Sequence, residues 1–297
     1  MLKTPIFRYC TLCFFAVPLR PEKVANTTVV SLVMTTRKNM KPDYGNWVPK
    51  RLLYGLLIAV LITTALLIWA LANGWAWPWV ALVAILLVVS AGFLCYMTVL
   101  YHVFSFSGGG LMGRVHEYVA NHLSWDGRGR LLDVGCGAGA LTIRCAKKFP
   151  EACCVGIDYW GIKWDYSQRM CQHNAEAEEV ADRCIFQHGD ANHLDFPDGS
   201  FDAVVSNFVY HEINDGKSRE ELLRETLRVL KPGGSFALQD LFGQKSAYGD
   251  FQGIIERLQT DTVSEIHYAD SATEIPIPKW LRVSGMMPGV GIIYGKK

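Results

Sequence analysis

The amino-acid sequence predicts an α/β protein in which a doubly wound, mainly parallel sheet follows a hairpin of two transmembrane helices. Two observations lead to this prediction. First, no Asp, Glu, Lys or Arg occurs between Leu52 and Tyr101, although the 297-residue chain has 29 basic and 28 acidic residues. Second, short apolar or β-branched runs alternate with helical stretches from Leu131 onwards, which is typical of a parallel sheet covered by helices on both faces.

The uncharged block divides into two segments of membrane-spanning length. Residues 52–72 and 78–101 each have about the 20 residues that a helix needs to cross some 30 Å of hydrocarbon. Between them, Asn73 and Gly74 can end one helix, and Pro78 can begin the next. Tryptophans surround this turn, as they do at the lipid headgroup level: Trp69, Trp75, Trp77 and Trp79. A buried helical hairpin in a soluble core is the alternative.

Charge is distributed unevenly along the chain. Residues 1–51 carry a net charge of +7, and residues 102–297 carry a net charge of −6. Basic residues stay on the cytoplasmic side of a membrane, and two crossings return the chain to that side. We therefore expect both termini in the cytoplasm, with the hairpin in the cell (inner) membrane. The acidic C-terminal part is a poor match for phosphates, so no nucleic-acid partner is expected.

This charge pattern predicts three parts. Residues 1–51 form a basic, poorly ordered arm, residues 52–101 the two transmembrane helices, and residues 102–297 a soluble domain. Met40 is an alternative start of the native chain, because it opens a juxtamembrane segment. Nine cysteines without a framework spacing favour reduced thiols, and no set of Cys and His with metal-ligand spacing predicts a metal.

The strongest local motif runs from Asp133 to Leu141, where a strand leads through a glycine-rich turn into a helix. Glycines there let the backbone approach a ligand, and the helix N-terminus offers free N–H donors. Asp158 ends the second predicted strand, where a carboxylate can bind both hydroxyls of a ribose. Gly135, Gly137 and Ala140 also fit a dinucleotide pattern, so an NAD-type site is an alternative.

Three more motifs follow in order. Gly189-Asp190-Ala191 comes after the third strand, Phe201–Asn207 forms the fourth, and Val229–Gly234 precedes the fifth. Together with the glycine turn and Asp158, they resemble the class I S-adenosylmethionine-dependent methyltransferases, closest to the small-molecule, ubiquinone/menaquinone-methyltransferase-like branch. The resemblance does not cover residues 1–101. It implies a Rossmann-like, seven-stranded sheet with an antiparallel last strand, and S-adenosylmethionine as the cofactor.

The resemblance also implies residues for the methionine and ribose ends of that cofactor. Asp133 would hold the methionine end, whose ammonium group suits a carboxylate. The loop that contains Gly135, Gly137 and Gly139 would hold the same end through its backbone. Asp158 would bind the ribose diol.

The adenine and methyl ends have their own implied residues. Tyr159 would lie against the adenine face. Asp190 would accept from the adenine amino group, while the Ala191 N–H meets a ring nitrogen. Asn207 would come close to the sulfonium methyl. The alternatives are a turn residue for Asp190 and a helix N-cap for Asn207.

Candidate catalytic and acceptor residues follow the second and fourth strands. His211 is the candidate general base, expected one helical turn past Asn207 on the same side of a helix. Aromatic side chains are expected to contact the acceptor: Trp160, Trp164 and Tyr210. These aromatic stretches depart from the quinone-biosynthesis enzymes, which leaves the acceptor open.

The predicted function is transfer of a methyl group from S-adenosylmethionine to a small acceptor at the cytoplasmic face of the membrane. Tethering favours a lipophilic acceptor such as a lipid. The alternatives are a non-catalytic S-adenosylmethionine-binding membrane protein and an NAD-dependent oxidoreductase.

Overall fold

The computed structural model describes residues 40–106, 110–161, 166–213, 216–275, 278–279 and 289–297. Residues 1–39 of the predicted arm at 1–51 and the candidate residue Trp164 lie outside this set. The chain divides into two compact units, one of residues 45–113 and one that joins the segment ending at Tyr44 to Arg114–Lys297.

The first unit is a helical hairpin. Helix α1 spans Lys50–Ala72 and helix α2 spans Trp77–Val103, with Pro78 in the first turn of α2, where its missing N–H costs nothing. Trp69 and Trp75 contact each other edge-on at the turn. At the open end, the Asn46 amide donates to the Tyr101 carbonyl at 2.8 Å. Both helices are long and apolar enough to cross a membrane, by length and composition.

The second unit contains a seven-stranded sheet with the order β3-β2-β1-β4-β5-β7-β6. Strands β1 to β5 pair in parallel, and β7 runs antiparallel to both of its neighbours. The strands are β1 Gly129–Val134, β2 Ala152–Asp158, β3 Cys184–His188, β4 Phe201–Asn207, β5 Leu230–Asp240, β6 Glu265–Asp270 and β7 Gly291–Lys296. The predicted fold class is confirmed.

Helices cover both faces of this sheet. They are α3 Leu111–Asn121, α4 Ala140–Lys148, α5 Gln168–Ala177, α6 Arg219–Arg228, α7 Lys245–Tyr248, α8 Phe251–Asp261 and α9 Ser271–Glu274. Because side chains alternate along a strand, Val204 and Leu238 pack on one face with α6 and α8, whereas Val205 and Ala237 pack on the other with α3, α4 and α5. Helix α6 begins at the capping box of Ser218 and Glu221.

The cysteines depart in one respect from the expectation of reduced thiols. Six of those in the described part of the chain are free: Cys95, Cys136, Cys145, Cys154, Cys171 and Cys184. Cys153 is disulfide-bonded, so the expectation of reduced thiols is wrong at that position.

Candidate active site

The glycine-rich loop turns at the carboxyl end of β1. Gly135, Gly137 and Gly139 have φ angles of +74°, +56° and +80°, a region that residues with a Cβ rarely adopt. A Cβ on Gly135 would lie 2.2 Å from Val209 Cγ2, so this position also lacks room for a side chain. The Gly135 N–H donates to the Ile157 carbonyl at 2.8 Å, which fastens the loop to the end of β2.

Asp158 joins the loop to the segment after β2. Its Oδ2 accepts from the Gly137 N–H and its Oδ1 from the Trp160 N–H, both at 2.8 Å. The Trp160 indole donates back to the Gly137 carbonyl at 2.9 Å. Each carboxylate oxygen keeps a further lone pair, so Asp158 can hold this loop and still accept from a ribose. Trp160, a candidate acceptor contact, is therefore hydrogen-bonded to the glycine-rich loop.

Asp133 is buried at the end of β1, directly before the loop. Its Oδ2 accepts from the Thr142 hydroxyl at 2.6 Å. Burial raises the pKa of Asp133 to about 7, although the hydrogen bonds from Thr142 oppose the shift. A buried carboxyl group of this kind gains most from a cation placed beside it, because a cation restores the charged form.

The candidate adenine residues lie after β2 and β3. The Tyr159 side chain is 66% exposed, and its ring centroid lies 5.1 Å from that of His188. Asp190 Oδ1 accepts from both the backbone N–H and the side-chain amide of Asn192 at 2.9 Å, so it stabilises its own turn. Ala191 packs against the apolar cluster below. Asp190 is therefore a turn residue that keeps free lone pairs for a ligand.

The segment after β4 differs from the prediction. Asn207 is the last residue of β4, Phe208 has a φ of +58°, and a short 3-10 helix covers Tyr210–Glu212. Asn207 and His211 therefore share no helix face, and Asn207 is not a helix N-cap. The physical reason is Asp240, whose carboxylate draws the backbone N–H groups after Phe208 towards itself.

Asp240 ends β5 and is completely buried. Its Oδ2 accepts from the N–H groups of Val209, Tyr210 and His211 at 3.1, 2.8 and 3.3 Å. Its Oδ1 lies 2.6 Å from both His211 Nδ1 and the Leu241 N–H. Because a carboxylate can only accept, Nδ1 carries the proton and Nε2 of a neutral His211 is left as the basic nitrogen.

The electrostatic surroundings of His211 follow from this geometry. Burial lowers its pKa, but the hydrogen bond and charge of Asp240 and the charge of Glu212 outweigh burial and raise the pKa above its usual value. His211 Nε2 lies 3.5 Å from Glu212 Oε1. The His211 side chain is 21% exposed, and Nε2 is the ring nitrogen that is not bonded to Asp240.

Tyr210 does not occupy the position predicted for it. Its side chain is fully buried in the core, and its hydroxyl lies 3.1 Å from Thr226 Oγ1. The prediction that Tyr210 contacts the acceptor is therefore wrong, because helix α6 covers the ring. Trp164 lies outside the described residues, so its role stays a prediction.

Sequence reasoning missed Asp240 and Thr142. Asp240 is the last residue of β5, as Asp133 nearly is of β1 and Asp158 of β2. An acidic residue at the carboxyl end of a parallel strand was therefore the available signal. Thr142 had no comparable signal, since it contacts Asp133 from the first turn of helix α4.

Comparison with known proteins agrees with this geometry. Residues 132–238 match the family described as a methyltransferase domain. The 27-O-demethylrifamycin SV methyltransferase of Amycolatopsis mediterranei is 35% identical over 43% of this chain and 44% of its own length. The sterol 24-C-methyltransferase of Aspergillus fumigatus is 33% identical over 43% and 32%. The demethylmenaquinone methyltransferase of Listeria welshimeri is 36% identical over 37% and 44%. The chain spans less than half of each of these relatives.

Among solved structures, a geranyl diphosphate C-methyltransferase from Streptomyces coelicolor has a TM-score of 0.48 at 17% identity, and the match covers 67% of this chain and 81% of that one. The sequence match coincides with the stretch from β1 into β5 that contains the glycine loop, Asp158 and Asn207. The predicted family and its cofactor, S-adenosylmethionine, are confirmed. Over residues 132–238 the chain carries a methyltransferase domain, in agreement with the predicted resemblance to the class I S-adenosylmethionine-dependent methyltransferases.

Proposed function

We propose that this protein transfers a methyl group from S-adenosylmethionine to a small, lipophilic acceptor at the cytoplasmic face of a membrane. The observation that carries the proposal is the pairing of His211 with buried Asp240 at the sheet edge where the glycine loop also lies. A cofactor loop and an oriented base at one edge are the parts that methyl transfer to a hydroxyl, an amine or an acidic carbon requires.

The residues at this edge fit the cofactor. Asp133 offers a buried carboxyl group whose raised pKa suits an ammonium partner. Gly135 leaves no room for a side chain because Val209 packs against it, and the positive φ angles of Gly135, Gly137 and Gly139 let the loop turn sharply at the end of β1. Asp158 would bind the ribose diol, while Tyr159, Asp190 and Ala191 would bind adenine. The sulfonium group of this cofactor supplies an activated methyl for in-line displacement.

The protein's own residues then orient the acceptor and remove its proton. His211 Nε2 takes a proton from the attacking atom, and Asp240 stabilises the imidazolium that results, since its charge lies 2.6 Å from Nδ1. Asn207, at the end of β4, would line the path between acceptor and methyl. Because charge is neutralised as nucleophile and sulfonium combine, alignment and exclusion of water contribute more than charge stabilisation.

The hairpin supports the membrane location. Only 6% of the most apolar stretch of each helix is buried, whereas a core helix of a soluble protein is mostly buried. Lys41, Lys50 and Arg51 precede or begin α1, and the turn at 73–76 has no basic residue, which favours cytoplasmic termini. A sterol and a menaquinone precursor appear in the names of two relatives, and both names indicate apolar acceptors.

The test is transfer of radiolabel. Purified full-length protein is incubated with S-adenosylmethionine labelled on its methyl group and with membranes, cytosol and protein fractions of the native cells. We expect label in the lipid extract. Label in water-soluble metabolites alone would refute a lipophilic acceptor, and the absence of label from every fraction would refute methyl transfer. Asp158→Ala should abolish binding of S-adenosylhomocysteine in calorimetry, and Asp261→Ala, at the exposed end of α8, is the matched control.

A further inference from the structure

Two amide oxygens lie buried and unpaired at the sheet edge beyond the cofactor loop. Asn207 Oδ1 and Gln239 Oε1 have no hydrogen-bond partner among the residues that the structure describes. Gln239 is 0% exposed, so water does not reach it from the surface. A buried acceptor without a donor destabilises the fold, and such groups are rare in native proteins unless a ligand or ordered water supplies the donor.

The two side chains that carry these oxygens lie on the same face of the sheet, next to each other at its carboxyl edge. Asn207 and Gln239 are in direct register as the last paired residues of β4 and β5, and the Phe208 N–H donates to the Gln239 carbonyl at 2.9 Å. Residues in register on neighbouring strands have their side chains on the same face. Two residues earlier, Val205 and Ala237 pack on the face that α3 covers. The pair therefore lies on the α3 face, at the carboxyl edge of the sheet.

Neighbouring side chains fix which end of the Gln239 amide is unpaired. Its Nε2 donates to the buried Ser271 hydroxyl at 2.7 Å. With Nε2 bonded to Ser271, Oε1 is the atom of the Gln239 amide that is left without a partner among the described residues.

The position of the pair separates it from the cofactor loop. Val134 of β1 is in register with Ser206 of β4, so Asn207 stands level with Gly135. Gln239 lies one strand further on. With strands about 4.8 Å apart, Gln239 is roughly 10 Å from the loop, on the side away from Asp158. Asp133 already offers a carboxyl group for the ammonium of the cofactor, so the pair is left for the other substrate.

We propose that Asn207 Oδ1 and Gln239 Oε1 bind a hydrogen-bond donor of the methyl acceptor, so that the acceptor is an apolar molecule with a hydroxyl or amine group beside the methylated atom. This inference rests on the proposed methyltransferase function. A site built from buried acceptors rejects analogues that lack the donor, because the acceptors then stay unpaired. The pair thus selects a polar group on an otherwise lipophilic substrate.

The test uses Gln239→Met, which keeps the length of the side chain and removes the acceptor. Gln252→Met, on the exposed side of α8, is the matched control. Initial rates of label transfer are measured against the concentration of a total lipid extract from membranes of the native cells. For Gln239→Met we expect the apparent KM for the extract to rise about tenfold or more, with the Kd of S-adenosylhomocysteine changed less than about twofold.

Thermal unfolding of the ligand-free protein provides a second readout that does not need activity. Gln239→Met also removes the Nε2–H that donates to Ser271, so the comparison is made in a Ser271→Ala background, where that hydrogen bond is already absent. If the oxygen is unpaired in the free protein, adding Gln239→Met to Ser271→Ala keeps or raises the Tm, because it removes a buried polar group without a partner. A fall of more than about 4 °C would show that a structural water or another donor already satisfies the oxygen. That result would overturn the inference.

The remaining outcomes separate this inference from the proposed function. An unchanged KM overturns the inference and leaves methyl transfer standing. A tenfold weaker binding of S-adenosylhomocysteine with an unchanged KM would assign the pair to the cofactor instead, which also overturns it. Failure of the unmodified protein to label any fraction refutes the proposed function and, with it, this inference.

Discussion

The substitution Asp240→Asn tests the proposed base most directly, because it preserves the shape of the side chain and changes only charge and donor pattern. In the structure, one carboxylate oxygen accepts from three backbone N–H groups, and the other lies 2.6 Å from His211 Nδ1. The new amide must keep its oxygen towards the three N–H donors. Its NH₂ group therefore faces His211, where it donates to Nδ1, and the Leu241 N–H loses the acceptor that Oδ1 provided.

This reversal changes the tautomer of His211. With Nδ1 accepting, the proton of the neutral imidazole moves to Nε2, the nitrogen that would otherwise take a proton from the acceptor. General-base catalysis contributes roughly 10²- to 10⁴-fold, so we expect kcat to fall by about 10²-fold or more. Affinity for S-adenosylhomocysteine should hardly change, since Asp240 makes no contact with the glycine loop in the described structure.

The pH profile gives the sharper readout. A general base must be neutral, so the rate rises with pH through the pKa of His211, and Asp240 and Glu212 hold that pKa above its usual value. Removing the charge of Asp240 should move the acid limb of the residual rate to lower pH. Asp250→Asn, an N-cap replacement at the start of α8, is the control and should leave the acid limb of the pH–rate profile unchanged. If Asp240→Asn changes neither the position of the acid limb nor kcat, the role assigned to His211 is refuted.

Three further predictions concern the cofactor loop and its supports. The pKa of Asp133 is about 7 in the folded protein and 3.8 in the unfolded chain, so the free energy of unfolding of the free protein should fall as pH rises from about 4 to about 7. Asp133→Asn should flatten this pH dependence in urea titrations. The same variant should weaken binding of S-adenosylhomocysteine. Gly135→Ala should destabilise the fold by about 2 kcal/mol or more, because the new Cβ would sit at a positive φ and clash with Val209. Gly249→Ala is the control: its φ is +59° but the space around it is open, so it should lose only the stability that the strained backbone accounts for. The Asn174 side chain is hydrogen-bonded to the Ala138 carbonyl and to both the N–H and the carbonyl of Asp43. Asn174→Ala should therefore lower the free energy of unfolding by about 1 to 3 kcal/mol and make residues 40–44 more susceptible to limited proteolysis. An unchanged rate of cleavage at residues 40–44 would contradict this prediction.

The sequence predicted those parts of the fold that depend on local patterns. Strand β4 is predicted over Phe201–Asn207 and covers those residues, because residues 203–206 form one continuous buried run. The hairpin was predicted to within two or three residues, since the first charges outside the block, Lys50 and Arg51, mark where α1 begins. Gly135 and Gly139 could be identified from the sequence because glycine is the residue type that readily adopts a positive φ in a turn.

What the sequence did not predict depends on partners distant in the chain. Asp240 takes up the N–H groups of residues 209–211, about 30 positions earlier, and so turns an expected helix after Asn207 into a left-handed residue and a short 3-10 turn. Tyr210 was expected at a ligand because aromatic residues next to a site often face it, but the same turn directs its ring under α6. Neither effect has a local signature, because each depends on the parallel pairing of β4 with β5.

Polar residues at the carboxyl ends of the strands nevertheless share one physical cause. Parallel strands end their hydrogen-bond ladder at a common edge, where backbone groups lack partners and helix N-termini point inward. Asp158 satisfies N–H groups of the glycine loop, and Asp240 satisfies those after β4. Each carboxylate therefore holds a loop in place with some of its lone pairs. With the others, Asp240 orients the His211 imidazole, and Asp158 would accept from the ribose of the proposed cofactor. Asn207 and Gln239 differ because their oxygens have no such loop to hold in the described structure. At this edge, the hydrogen-bonded carboxylates of Asp158 and Asp240 hold the site in shape, and the unpaired amide oxygens of Asn207 and Gln239 are the acceptors that we propose bind the substrate.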